Sequence, residues 1–237
     1  PVLAEAGWPV VALDHRGHAR GIRGDGPFSL EDCADDAAAL LDALDLDDVI
    51  AVGYSMGGPV AQLLWQRHRA KVAGLVLCAT SRTFNGTARE RAMFAMLGGA
   101  CATARRLREA QRADLAIRLL GGHKPDPDAW RTCAETHDWV SVFDAGRAIG
   151  RFDSRPWAST IDVPTSVVVT TRDHVVPPSR QLELAAAIPG ASVHPVRGDH
   201  AVCVAQAEEL APALLRALDS VASRLHAERM VDQPLAA

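Results

Sequence analysis

Gly53-Tyr54-Ser55-Met56-Gly57-Gly58 lies between an apolar run, Val49-Ile50-Ala51-Val52, and a helix-like run, Val60-Ala61-Gln62-Leu63-Leu64-Trp65. A strand, then G-x-S-x-G, then a helix is the pattern of a nucleophile elbow, and it restricts the possible folds more than any other stretch. The turn is so tight that Ser55 must take a strained backbone conformation. The glycines two residues to either side leave room for strand and helix to approach. The serine hydroxyl is then held above a sheet edge. The Met56 backbone N–H sits at a helix N-terminus, where a developing oxyanion can be stabilised. Stripped of its flanks, the same segment is a glycine-rich turn that happens to contain serine.

A serine is a weak nucleophile, so the elbow requires a base and an acid that orients the base. Candidates follow in the chain. Pro164-Thr165-Ser166-Val167-Val168-Val169-Thr170 reads as a buried strand, and it places Asp173 just past its C-terminal end. Open α/β sheets gather functional groups at that end. Ala191-Ser192-Val193-His194-Pro195-Val196 reads as the next strand, and it puts His200 on the following loop. One helix and one strand fill the interval between them, so the two loops can be neighbours. Each residue also has a plainer role. Asp173 could form an Asx-turn or cap a helix ahead of Pro177. Asp199 cannot easily orient the ring it precedes. His174 points away from Asp173 if the segment is extended. His15 and His18 suit hydrogen bonds within their own loop, and His68 suits a helix C-terminus.

Composition narrows the class. The chain has 237 residues, 48% hydrophobic and 23% charged, which suits one large domain with a proper core. A formal net charge of −4 gives no electrostatic case for nucleic acid or an anionic membrane. Five cysteines at scattered positions (Cys33, Cys78, Cys101, Cys133 and Cys203) point to a reducing, cytoplasmic compartment rather than a disulfide framework. No run of 18 apolar residues suggests a membrane helix. The nine histidines and the cysteines form no metal-binding spacing, so no metal and no cofactor is expected.

The layout alternates strand and helix with one interruption. Leu30 to Leu44 is an expected helix, capped by Ser29 with Asp32 at the capping-box position. Val72 to Thr80 is an expected strand. From Ser81 to Trp157 only helical segments appear: Ala88 to Leu97, Thr103 to Leu120, and Pro127 (after the cap Asp126) to Phe143. Gly98-Gly99 and Gly121-Gly122 are expected to separate them. A long helix follows from Ala205 to Arg224, and Met230 to Ala237 carries no periodicity.

Together, the elbow, Asp173 and His200 in that order resemble the α/β-hydrolase family. A fourth match is Leu13-Asp14-His15-Arg16-Gly17-His18-Ala19-Arg20-Gly21, which is similar to the family's D-x-R-G-H-G-x-S loop; Ala19 and Gly21 stand where glycine and serine are usual. The resemblance covers nearly the whole chain. It implies an α/β-hydrolase fold: a mostly parallel sheet flanked by helices, with an inserted helical cap. The expected division is 1–80 and 158–237 for the core and 81–157 for the cap.

The resemblance also implies roles. Ser55 would attack a carbonyl carbon, His200 would shuttle the proton, and Asp173 would hold the imidazole. Met56 would supply one oxyanion donor. The second would come from an H-G loop upstream of Pro1, so the chain is expected to lack N-terminal strands of the family. Val10-Val11-Ala12-Leu13 would then be a strand without its neighbour, and turnover would be lower than with both donors. Tyr54, Trp139 and Phe143 are the expected pocket residues; packing of the cap is the plainer role for the aromatics there.

Ser55 at the elbow argues against carboxylate-nucleophile members. The expected function is hydrolysis of a small or medium carboxylic ester or lactone through an acyl-serine. An acyltransferase or cofactor-free perhydrolase or haloperoxidase would use the same triad, and a non-catalytic ligand-binding protein is a further alternative. The expected partner is a small-molecule, ester-like substrate; no nucleic acid or membrane is expected.

Overall fold

The computed structural model describes residues 2–23, 26–107, 111–112, 115 and 138–232. In chain order its elements are α1 (Val2–Glu5), α2 (Leu30–Ala43), β1 (Val49–Tyr54), α3 (Gly57–Arg67), β2 (Val72–Cys78), α4 (Ala88–Ala104), α5 (Trp139–Arg151), β3 (Thr165–Thr170), α6 (Pro178–Ala187), β4 (Ser192–Val196), α7 (Val202–Ala205) and α8 (Ala207–Asp232). They form two compact units. The first takes its described residues from Pro1–Val10, Ala34–Thr83 and Asp153–Ala237, the second from Val11–Cys33 and Phe84–Phe152.

The first unit is an α/β assembly. Its four strands lie parallel in the order β1-β2-β3-β4, with Tyr54 opposite Cys78, Cys78 opposite Val168 and Thr170 opposite Val196. Parallel pairing puts every C-terminal strand end on one rim of the sheet. Both faces are covered, which is why β2 and β3 read as continuous apolar runs instead of alternating ones. On one face Val76, Cys78, Val168 and Val196 pack with Val202 of α7 and with Leu210, Ala213, Ala217, Leu218 and Val221 of α8. On α3, Trp65 is fully buried, stacks on Trp157 with centroids 6.1 Å apart and donates from its indole N–H to Asp162 at 3.3 Å. Trp157 therefore belongs to the sheet unit's packing. Its aromatic companions Phe84, Phe94 and Phe152 contact one another in the second unit.

That second unit is built on a close α4–α5 pairing. A Cβ at Gly146 would lie 2.6 Å from Leu97 Cδ1, and one at Gly150 would lie 2.6 Å from Phe94 Cβ, so the two α5 glycines permit the approach. Trp139 and Phe143 pack with Ala100, Cys101 and Ala104. Asp144 is buried and accepts the Phe28 N–H at 2.9 Å, Arg147 Nε at 2.8 Å and Arg105 at 3.4 Å. The Asp138 N–H donates to the Gly17 carbonyl at 3.1 Å. These bonds explain why residues 11–33, far away in sequence, group with the helices.

Several local expectations change. Gly98-Gly99 does not end a helix: α4 runs through it to Ala104, because packing overrides the weak helix preference of glycine. Val10–Leu13 lies outside the strands, and Val10 and Val11 are exposed. A strand needs ladder partners for its N–H and C=O groups, and this segment meets none among the described residues. The C-terminal helix begins as α7, breaks at Gln206 and continues as α8 to Asp232, past the expected end. Ser29 caps α2 through a 3.1 Å bond from the Asp32 N–H, but the Asp32 carboxylate pairs with Arg16 at 2.8 Å instead of closing a capping box. The expected segments at 116–137, with Asp126, Gly121-Gly122, Trp130 and Cys133, and the last five residues lie outside the described residues.

Candidate active site

β1 ends at Tyr54 and α3 begins at Gly57, which leaves two residues for the reversal. Ser55 pays for it with φ +51°, a left-handed conformation that costs a non-glycine residue of order 1–3 kcal/mol. Surrounding bonds hold it there. Its N–H donates to the Cys78 carbonyl at 2.9 Å, and its carbonyl accepts the Gly58 N–H at 3.0 Å and the Thr80 hydroxyl at 2.9 Å. A Cβ on Gly53 would sit 2.2 Å from the Gly57 carbonyl oxygen, so this position must be glycine. Gly57 itself has open space; the close approach falls one residue later, where a Cβ on Gly58 would sit 2.2 Å from Thr80 Oγ1. Met56 is the N-cap residue of α3, so its backbone N–H is at the end of the helix where donors are unused by the helix ladder.

The two distant candidates meet Ser55. The Ser55 hydroxyl donates to His200 Nε2 at 2.8 Å, and His200 Nδ1–H donates to Asp173 Oδ2 at 2.7 Å. Asp173 has no exposed side-chain surface. Its Oδ1 accepts the Val175 and Val176 N–H groups, both at 2.8 Å, and its Oδ2 also accepts the Thr170 hydroxyl at 2.8 Å. The Asx-turn reading and the His-orienting reading thus coexist, one on each carboxylate oxygen. Burial alone would push the Asp173 carboxyl up. The bonds from His200, the Val176 N–H and Thr170, with the charge of His200, outweigh it and hold the carboxyl below its ordinary range. The anionic carboxylate therefore favours the Nδ1–H tautomer, which leaves Nε2 as an acceptor for the serine proton.

Residues that sequence reasoning missed complete this shell. Gln181 of α6 is fully buried; it donates to Thr170 Oγ1 and to the Val176 carbonyl, each at 2.7 Å, and accepts the Thr170 N–H at 3.0 Å. Thr80 was hidden at the end of an apolar strand. A threonine closing β3 three residues before Asp173 was the only available sequence signal for this network.

Other candidates lie elsewhere. Asp199 is exposed and its carboxylate accepts the Ala201 N–H at 2.8 Å; His174 is exposed too. His18 bonds within its loop to the Arg16 carbonyl at 3.0 Å, and His68 pairs with Asp35 at 2.7 Å. Tyr54 is half-buried, and its hydroxyl donates to the His200 carbonyl oxygen at 2.9 Å. Trp139 and Phe143 are buried in the second unit. Among the described residues no group of three metal-ligating side chains converges, and no helix is long and apolar enough to cross a membrane.

Comparison with known proteins agrees with this architecture. Residues 1–205 match the family model described as alpha/beta hydrolase fold. A pimeloyl-[acyl-carrier protein] methyl ester esterase of Neisseria meningitidis is 32% identical over 189 residues, 73% of this chain and 68% of its own. A provisionally named carbamate hydrolase, RutD of Caulobacter segnis, is 39% identical over 72 residues, 30% of this chain and only 27% of its own length. Among solved structures, a bromoperoxidase from Bacillus anthracis superposes with a TM-score of 0.73 at 20% identity, over 92% of this chain and 84% of that one. At that identity the likeness speaks for the fold alone.

Proposed function

The chain belongs to the alpha/beta hydrolase fold family, and on that footing we propose that it is a serine hydrolase acting on a small or medium carboxylic ester or lactone. The observation that carries this reading is the unbroken hydrogen-bond chain from Ser55 through His200 to Asp173, with links of 2.8 and 2.7 Å.

In the proposed cycle His200 Nε2 takes the Ser55 proton as Oγ attacks the carbonyl carbon. The Met56 N–H supports the oxyanion at the α3 N-terminus. The tetrahedral intermediate collapses, and His200 passes its proton to the departing alkoxide. Water then attacks the acyl-serine with His200 again as base, which releases the acid and restores the serine. Asp173 stays ionised throughout and stabilises the imidazolium. The methyl ester esterase relative, aligned over most of this chain, supports ester chemistry over other acyl transfers. The free thiols Cys33, Cys78, Cys101 and Cys203 support a cytoplasmic setting for this activity.

A fluorophosphonate probe should label Ser55, and Ser55→Ala should abolish labelling. Ser55→Ala and His200→Ala should each remove turnover of a short p-nitrophenyl ester, and the double variant should be no worse than either, since such residues act as a unit. Absence of labelling while a small ligand still binds would leave a binding protein instead. Product analysis with added alcohol separates hydrolysis from transfer.

A further inference from the structure

The geometry points to Tyr54 as a positioning residue for His200: its hydroxyl ties the backbone of the histidine loop to the strand that carries the nucleophile. This deepens the serine hydrolase reading and rests on it.

The need for such a tie follows from topology. Ser55 leaves β1 and His200 follows β4, and these are the outer strands of the order β1-β2-β3-β4. Three inter-strand spacings are about 14 Å, so the loop after β4 must lean back across the ends of β3 and β2 to bring the imidazole to the serine. Two bonds start that excursion: the Arg172 N–H donates to the Gly198 carbonyl at 2.9 Å, and the Asp199 carboxylate accepts the Ala201 N–H at 2.8 Å. The first is made on the β3–β4 side and the second lies within the loop itself. The 2.9 Å bond from Tyr54 Oη to the His200 carbonyl reaches the same loop from the far side of the sheet, spanning 146 residues of sequence. Asp173 can orient the ring about its bonds but does not hold the His200 main chain; Tyr54 does.

The phenol suits this task. The ring packs against the cluster of Val76, Cys78, Val196 and Val202 on the α8 face, and it lies tilted beside the imidazole with centroids 5.9 Å apart. Burial, reinforced by neighbouring Cys203, pushes its ionisation well above the ordinary phenol range, so it remains a donor at any working pH. Adjacent residues at the end of one strand thus supply the nucleophile and the brace for its base, and any shift of β1 moves both together.

Tyr54 is the chain's only tyrosine, which makes a clean test available. Tyr54→Phe keeps the ring and removes the donor. The expected result is a fall in kcat of about tenfold with KM within twofold, the scale of one lost hydrogen bond. Global incorporation of 3-fluorotyrosine alters this position alone and keeps the donor, so it should hold kcat within about twofold of the unlabelled enzyme with an unchanged thermal midpoint, while Tyr54→Phe lowers the midpoint by only about 2–4 °C and stays folded at the assay temperature. By NMR, the His200 Nδ1–H resonance should broaden in Tyr54→Phe and stay sharp in the fluorotyrosine protein. A kcat unchanged in Tyr54→Phe, or an equal loss in both forms, overturns the proposal. If the unaltered protein is not labelled at Ser55, the hydrolase reading fails by itself; the brace is then judged by the His200 resonance, and an unchanged signal in Tyr54→Phe overturns it.

Discussion

The Thr80 hydroxyl donates to the Ser55 carbonyl oxygen at 2.9 Å, so the strained residue of the elbow is held from the end of the neighbouring strand as well as by its own turn. Thr80 is fully buried and follows Ala79, which itself has φ +48°. Two left-handed residues therefore face each other across adjacent strand ends. The strain persists because the surrounding bonds over-determine it.

This contact separates two glycines of the motif. Gly58→Ala drives a methyl into buried Thr80 and should destabilise the protein by about 1–3 kcal/mol, the usual cost of overpacking. Gly57→Ala meets open space in the first turn of α3 and should be neutral or stabilising by up to about 1 kcal/mol. Denaturant midpoints of the two variants check the order; equal losses would contradict it.

Asp173→Asn keeps the shape of the side chain but not the acceptor that holds the His200 Nδ1 proton. The ring then favours the other tautomer, and Nε2 no longer accepts from Ser55. Ester turnover should fall by about 10³–10⁴-fold. The lowered Asp173 carboxyl also predicts a direction for stability. Its contribution is present above the ordinary carboxylate range and is lost as pH falls through the lower folded value. The stability gap between parent and Asp173→Asn should therefore narrow on acidification, as read from denaturant midpoints across pH.

Asp35 offers a second acid-sensitive contact. Hydrogen bonds from Arg67 and then His68 hold its carboxyl at about 2, below the ordinary 3.8. The pair gives stability above the unfolded value, and that contribution disappears as pH drops from about 4 to about 2. Because the Asp35 side chain is 40% exposed, solvent screening limits the effect to below about 1 kcal/mol. Asp35→Asn should be slightly less stable than the parent at pH 7 and indistinguishable near pH 2.

Asp144 is the comparable point in the second unit. Asp144→Ala strands the buried Phe28 N–H and frees Arg105 and Arg147, which are about half exposed and can turn to water. The cost should be about 1–3 kcal/mol. Faster proteolysis of the variant within residues 84–107 at unchanged ester turnover per folded molecule would check it, since the residue has no proposed part in the chemistry.

The candidate site was legible because its members announce themselves locally. A G-x-S-x-G between an apolar run and a helix, an aspartate just past β3, and a histidine just past β4 each need only short-range pattern to find, and parallel strands bring their ends to one rim. Thr170, Gln181 and Thr80 could not be read this way: each acts through a bond to a partner whose identity depends on how strands and helices pack. Glycine misled for the same reason, ending no helix at Gly98-Gly99 and mattering at Gly58 more than at Gly57.

Local sequence thus determined the four strands of the sheet (though not the outcome at Val10–Leu13), where the serine turn lies and which aspartate and histidine follow it, since hydrophobic periodicity and turn chemistry act over a few residues. Tertiary structure alone decided that residues 11–33 join the helices around Asp144, that one Asp173 oxygen serves its own turn while the other serves His200, and that the loop after β4 brings the His200 carbonyl within reach of Tyr54. Those outcomes hinge on distances between groups far apart in the chain, which only packing sets.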